Sequence, residues 1–116
     1  MRHKNKVKTL DRPKDERELM LRNMASSVLL YEKITTTEAK AKVVKPLVER
    51  LITIAKTGNL NSRRKLIQIL LQKKAVKKSM EVLGERYKTR NGGYTRIIRL
   101  GNREGDGAKM VQLELV

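Results

Sequence analysis

The apolar pattern of this chain changes period after Gly92-Gly93, and that change restricts the folds open to it. Ahead of the glycine pair, apolar residues recur at helical spacing; behind it, Val111, Leu113 and Leu115 alternate with polar neighbours as in a half-buried strand. A chain patterned this way is α+β, with helices packed on one face of a small sheet. The chain has 116 residues, which predicts a single core burying about two-thirds of the unfolded surface. It has no Phe or Trp and three Tyr, so Leu, Ile, Val, Met and Ala must build that core. The methionines at 20, 24, 80 and 110 read as core filler.

The first helix is expected to begin near Asp11–Pro13, with Asp11 as cap, Pro in the first turn and Asp15 and Glu16 at the positive helix end. Leu21, Met24, Ala25, Val28 and Tyr31 continue it, with a supporting Glu18–Arg22 pair, and Leu19, Leu29 and Leu30 widen its apolar face. Residues 33–37 (Lys-Ile-Thr-Thr-Thr) break the helix, because β-branched residues favour an extended backbone. A second helix starts from Thr35-x-x-Glu38 as a capping box, or from Thr37. Its stripe of Val44, Leu47, Val48, Leu51 and Ala55 ends before Gly58, with Pro46 expected to kink or split it. Asn59 or Asn61 opens a third helix, with Leu66, Ile67, Leu70 and Leu71 on one face. A fourth spans roughly Lys74–Leu83, carries Val76, Met80 and Leu83 inward, and stops at Gly84. Strands are expected over Tyr94–Leu100 and Met110–Val116, joined by the turn-rich residues 102–107. The order is α-β-α-α-α-β-β, with residues 1–12 a basic arm and 13–116 one folded domain.

Charge supplies the function class. The formal net charge is +16, an excess that repels itself unless a polyanion compensates it. The arm contributes Arg2, His3, Lys4, Lys6, Lys8 and Arg12. Residues 50–80 hold nine Lys/Arg and no acid, and Arg63-Arg64-Lys65 sit at a helix start, where the dipole opposes cations and a phosphate would reverse the sign. Residues 86–103 carry six more Lys/Arg without an acid, among them Arg86, Arg90, Arg96 and Arg99, around a Gly92-Gly93-Tyr94 loop. Glycine lets backbone come close to a ligand, and guanidinium grips phosphate through two donors. With so few aromatics a base-stacking platform is excluded, which leaves phosphate and shape recognition of a folded nucleic acid.

Other classes are disfavoured. His3 is the only histidine, there is no Cys, and no carboxylates fall at metal-ligand spacing. The acids read as caps and surface pairs, so no enzyme, cofactor or small-molecule substrate is expected. No apolar run reaches about eighteen residues, and the basic start leads into no apolar segment, so the expectation is a soluble cytoplasmic protein without a membrane partner.

Met1-Arg2-His3-Lys4, Arg22-Asn23-Met24-Ala25, Ile34-Thr35-Thr36-Thr37, Ala41-Lys42, Leu51-Ile52 with Ala55-Lys56, Arg63-Arg64, Gly92-Gly93-Tyr94-Thr95-Arg96, Gly105-Asp106 and Glu114-Leu115-Val116 follow one another in an order that resembles bacterial large-subunit ribosomal protein seventeen over essentially the full length. The resemblance implies a non-enzymatic ribosomal protein of α-β-α-α-α-β-β fold. It would be bound to large-subunit ribosomal RNA and neighbouring large-subunit proteins, near the exit of the peptide tunnel. It also implies that Arg2, His3 and Lys4 belong to an RNA-binding arm, and that Arg22, Arg63, Arg64, Arg90, Tyr94 and Arg96 face RNA. Lys14-Asp15-Glu16-Arg17 and Asp11 depart from the family's usual polar residues there, so RNA contact is not expected at that turn. The alternative function is a free nucleoid-type DNA-binding or RNA-chaperone protein, which composition alone also allows.

Overall fold

A computed structural model describes Leu10 and residues 12–116. The expected Asp11 cap therefore lies outside the described residues. Helix α1 (Lys14–Tyr31) starts with Pro13 at its cap position and no capping side chain, although the Pro13 carbonyl accepts the Arg17 N–H at 2.9 Å. Glu18 and Arg22 form no ion pair among the described residues. The helix ends at Glu32, whose φ of 69° is left-handed, and β1 (Lys33–Thr37) follows directly.

Thr37, of the two candidate caps, opens α2 (Glu38–Thr57), which runs unbroken through Pro46. Proline leaves the Lys42 carbonyl without its helical partner, but Lys42 and Pro46 are both exposed, so water can meet it. Ala41, Val44, Val48, Leu51, Ile52 and Ala55 are buried, and α2 packs against α1, the sheet, the third helix and the end of the last helical stretch. Asn59 then caps α3 (Leu60–Ile69), its Oδ1 accepting the Ser62 N–H at 2.8 Å. Only part of the expected apolar face turns inward: Leu66 and Leu70 are buried, whereas Ile67 and Leu71 are about half exposed, at 56% and 47%. On α1, likewise, Leu29 is buried while Leu19 and Tyr31 face solvent.

The last helical stretch is longer than the sequence suggests. The segment α4 (Lys73–Lys78) continues through a π-helical turn (Ser79–Leu83) into α5 (Gly84–Arg86). Gly84 does not stop it; its N–H bonds the Ser79 carbonyl five residues back, and its backbone is helical. The reason for a glycine is proximity: a Cβ there would stand 2.8 Å from the Ala55 carbonyl oxygen of α2.

Strands β2 (Thr95–Asn102) and β3 (Lys109–Leu115) close the fold in the antiparallel order β1-β3-β2. Leu113 pairs with Ile34 on one side and Ile97 on the other. Val111, Leu113 and Leu115 turn onto the helices. The opposite face aligns Lys33, Glu114 and Arg96 across the three strands. The expected α+β arrangement, with helices on one face of a small sheet, is the one observed.

Candidate nucleic-acid interface

The helical hairpin of α3 and α4 carries the least relieved charge. Arg63, Arg64, Lys65, Lys73, Lys74 and Lys77 are all exposed, and among the described residues none enters an ion pair or a side-chain hydrogen bond. Their placement follows from α3 burying Ser62 and Leu66, which turns residues 63–65 outward. Arg63 is the fourth residue of α3, past the first turn, where the helix dipole fades. The clustering of like charge, rather than opposition to the dipole, is therefore what marks this surface as anion-seeking.

The Arg/Lys-rich segment 86–103 is acid-free along the chain but not in space. Arg86 grips Glu32 with both guanidinium nitrogens, and Lys78 joins the same carboxylate at 2.9 Å. These two cations, Arg86 first, hold the Glu32 carboxyl down to about 2. Arg96 pairs with Glu114 at 2.6 Å across the sheet, and Arg103 with Asp106 inside the turn. Three of the six cations are thus occupied by acids that the fold delivers, and Arg86 in particular ties the end of α1 to the end of the last helix. The expectation of an unopposed basic stretch is corrected accordingly. Lys88, Arg90 and Arg99 remain exposed without an acid partner among the described residues.

Around Gly92-Gly93 the geometry is specific. Both glycines have positive φ, 95° and 63°, which reverse the chain with open space around them. Below them Tyr94 is buried (2% exposed), with its ring centroid 5.2 Å from that of Tyr87. The Tyr94 ring therefore cannot face RNA as the resemblance implies; it is a core residue that holds the loop. Its hydroxyl lies 3.2 Å from the Arg90 carbonyl and accepts from Lys56 Nζ at 3.0 Å. The ammonium of Lys56 is the main reason the phenol is held below its ordinary pKa. Lys56 also donates to the Arg90 carbonyl at 2.5 Å, and Glu49 accepts the Tyr94 backbone N–H at 3.0 Å. Arg90 stays exposed, with one guanidinium nitrogen 3.3 Å from the Gly93 carbonyl.

Two of the expected residue groups thus converge at the C-terminal end of α2. Lys56, in its last turn, holds the Arg90–Tyr94 loop, and Gly58-Asn59 leads directly into the α3 bearing Arg63 and Arg64. Arg12 and Arg99 are exposed and Arg22 is half-buried on α1; none of these three makes a side-chain hydrogen bond or ion pair among the described residues. Arg2, His3, Lys4, Lys6 and Lys8 lie outside the described residues. Sequence reasoning missed Glu32 and Glu49, and met Lys56 only within a family motif, without a role at the site. The one available signal was the seven-residue spacing of Glu49 and Lys56, which puts them on the same side of α2. No His/Cys/Asp/Glu group among the described residues could hold a metal ion.

The family described as Ribosomal protein L17 matches residues 20–116. The large ribosomal subunit protein bL17 of Caldanaerobacter subterraneus is 50% identical over 107 residues, covering 92% of this chain and 96% of that protein. Its counterpart in Solibacter usitatus is 51% identical over the whole chain and 77% of its own length. That of Hydrogenobaculum is 45% identical, covering 100% of this chain and 99% of its own.

Proposed function

The chain belongs to the ribosomal protein L17 family, whose members are structural constituents of the large ribosomal subunit and not enzymes, and from that premise we propose how it holds its RNA. It binds large-subunit ribosomal RNA through phosphate contacts on two adjoining surfaces, the α3–α4 face and the loop carrying Arg90. The observation that carries this reading is the set of six exposed cations on residues 63–77 that find no acid among the described residues. A small domain keeps such a cluster at a cost to its own stability, and a polyanion offsets it.

Arg12, Arg22, Arg96 and Arg99 join the RNA-facing set as secondary members, and the arm residues Arg2, His3, Lys4, Lys6 and Lys8 on the strength of their charge and the family resemblance. Arg86 and Tyr94 support the interface from within. Neighbouring large-subunit proteins are further partners, and a cytoplasmic ribosome near the peptide exit tunnel is the proposed location. No helix among the described residues is long and apolar enough to cross a membrane.

The test is sedimentation of the endogenous protein through a sucrose gradient at high monovalent salt with magnesium. Stoichiometric recovery in the large-subunit peak is expected. Loss to the top of the gradient overturns the reading in favour of a free nucleic-acid-binding protein. Purified protein should also lose roughly a thousandfold in affinity for large-subunit RNA between about 50 and 200 mM salt if it neutralises about six or more phosphates.

A further inference from the structure

The fold spends two charged residues of α2 on the inner side of a loop whose outer side is basic. Glu49 and Lys56 stand two helical turns apart and each reaches the loop's main chain, Glu49 through the Tyr94 N–H at 3.0 Å and Lys56 through the Arg90 carbonyl at 2.5 Å. Lys56 makes a second bond to the Tyr94 hydroxyl and lies 5.2 Å from that ring's centroid. Two of its three ammonium donors are therefore taken by protein oxygen at the base of the loop. An acid beside an RNA-binding loop weakens RNA attraction at long range, yet Glu49 stands at that place in a chain of net charge +16.

We infer that Glu49 and Lys56 are positioning residues. They clamp the two ends of the Arg90–Tyr94 loop before RNA arrives, so that Arg90 and the Gly92-Gly93 backbone meet phosphate without first being ordered. Two successive glycines at positive φ give this loop wide backbone freedom, so fixing its ends lowers the entropy lost on binding. Electrostatics and preorganisation make opposite predictions for Glu49, which gives the idea a sign that can be tested. The inference rests on the proposal that this protein binds large-subunit RNA through the Arg90 loop.

The experiment measures binding of transcribed large-subunit ribosomal RNA by the full-length wild-type chain and by Glu49→Ala, Glu49→Gln, Lys56→Met and Arg90→Ala variants. Glu49→Ala raises the net charge by one yet is expected to bind roughly five- to tenfold more weakly, while Glu49→Gln, which keeps an acceptor for the Tyr94 N–H, restores binding. Lys56→Met should weaken binding in the wild-type background but add little to Arg90→Ala, since both act through one loop. Equal or tighter binding by Glu49→Ala overturns the inference, as does full additivity of Lys56→Met with Arg90→Ala, which would make Lys56 a direct phosphate contact. Hydrogen exchange of the free wild-type protein gives a readout that needs no variant. The Tyr94 amide should be protected before RNA is added, and exchange at an unprotected rate overturns the clamp. Failure of the wild-type chain to bind the RNA at all overturns the proposed function instead, and is distinguishable from every result above.

Discussion

Replacing Gly84 by Ala should destabilise this protein, although local helix chemistry favours the change. Gly84 has ordinary helical dihedrals, φ −56° and ψ −42°, so alanine meets no backbone strain and would gain about 1 kcal/mol of helix propensity. The opposing effect is steric. A Cβ built on Gly84 stands 2.8 Å from the Ala55 carbonyl oxygen, 3.3 Å from its carbon and 3.4 Å from the Ser79 carbonyl oxygen. All three atoms are main chain of packed helices, so no side chain can swing away. Overpacking of this kind costs about 1–3 kcal/mol, and an approach this close to backbone belongs at the upper end. Subtracting the propensity gain leaves a net loss of about 1–2 kcal/mol. For a domain of this size that lowers the thermal midpoint by roughly 4–8 °C. Thermal unfolding followed by far-UV circular dichroism at neutral pH reads the shift directly, and urea titration with an unchanged m value would confirm that native packing is what changed. A midpoint equal to or above wild type would refute the reasoning, because it would mean that α2 and residues 79–86 can part freely.

Leu113→Ala, in the central strand between Ile34 and Ile97, should cost about 2–5 kcal/mol, seen as a large fall in urea midpoint. Glu32 is ionised in the fold down to about pH 2, against an ordinary value of 4.5, so its contribution is complete above 4.5 and fades as pH falls toward 2. Because the pair is partly exposed, the worth is discounted to about 1 kcal/mol, and Glu32→Gln should flatten the decline of the thermal midpoint between pH 5 and 2.5. Arg63→Ala with Arg64→Ala should leave that midpoint nearly unchanged while lowering the salt slope of RNA binding by about 0.7–0.9 for each phosphate left without its cation.

The elements were legible where periodicity carried them. Lys33-Ile-Thr-Thr-Thr forms the strand its β-branching predicts, Thr37 and Asn59 cap the helices they precede, and alternation in β3 matches its burial. Legibility failed where a residue's role depends on a distant neighbour. Gly84 reads as a helix stop because nothing in its own segment shows the α2 backbone against it. Ile67 and Leu71 fit an apolar face with Leu66 and Leu70, but α3 is a short helix docked on one side only, and their half of the stripe is left in solvent. Tyr94 shows the same limit at the candidate site. Its motif identifies the loop correctly, yet whether the ring faces RNA or the core is decided by Tyr87 and Lys56, which lie elsewhere in the chain.

Charge separates these two kinds of information most sharply. Residues 86–103 and 50–80 look alike along the chain, both basic and both free of acids, but the fold treats them differently. The hairpin and the end of the last helix meet Glu32, Glu114 and Asp106, so Arg86, Arg96 and Arg103 help hold the domain together. The α3–α4 hairpin packs against the rest of the fold through Leu66, Leu70, Ala75 and Val76; of its cations Lys78 alone meets a carboxylate among the described residues, that of Glu32, and the six from Arg63 to Lys77 stay available. An arginine that already has a carboxylate must exchange it for phosphate on binding, whereas one without gains the full interaction. Alanine substitutions on residues 63–77 should therefore reduce RNA affinity more than Arg86→Ala or Arg103→Ala, and Arg86→Ala should reduce stability more than any of them. The reverse ranking, measured by RNA titration and thermal unfolding on the same set of variants, would show that the acid pairings do not decide which cations serve the RNA.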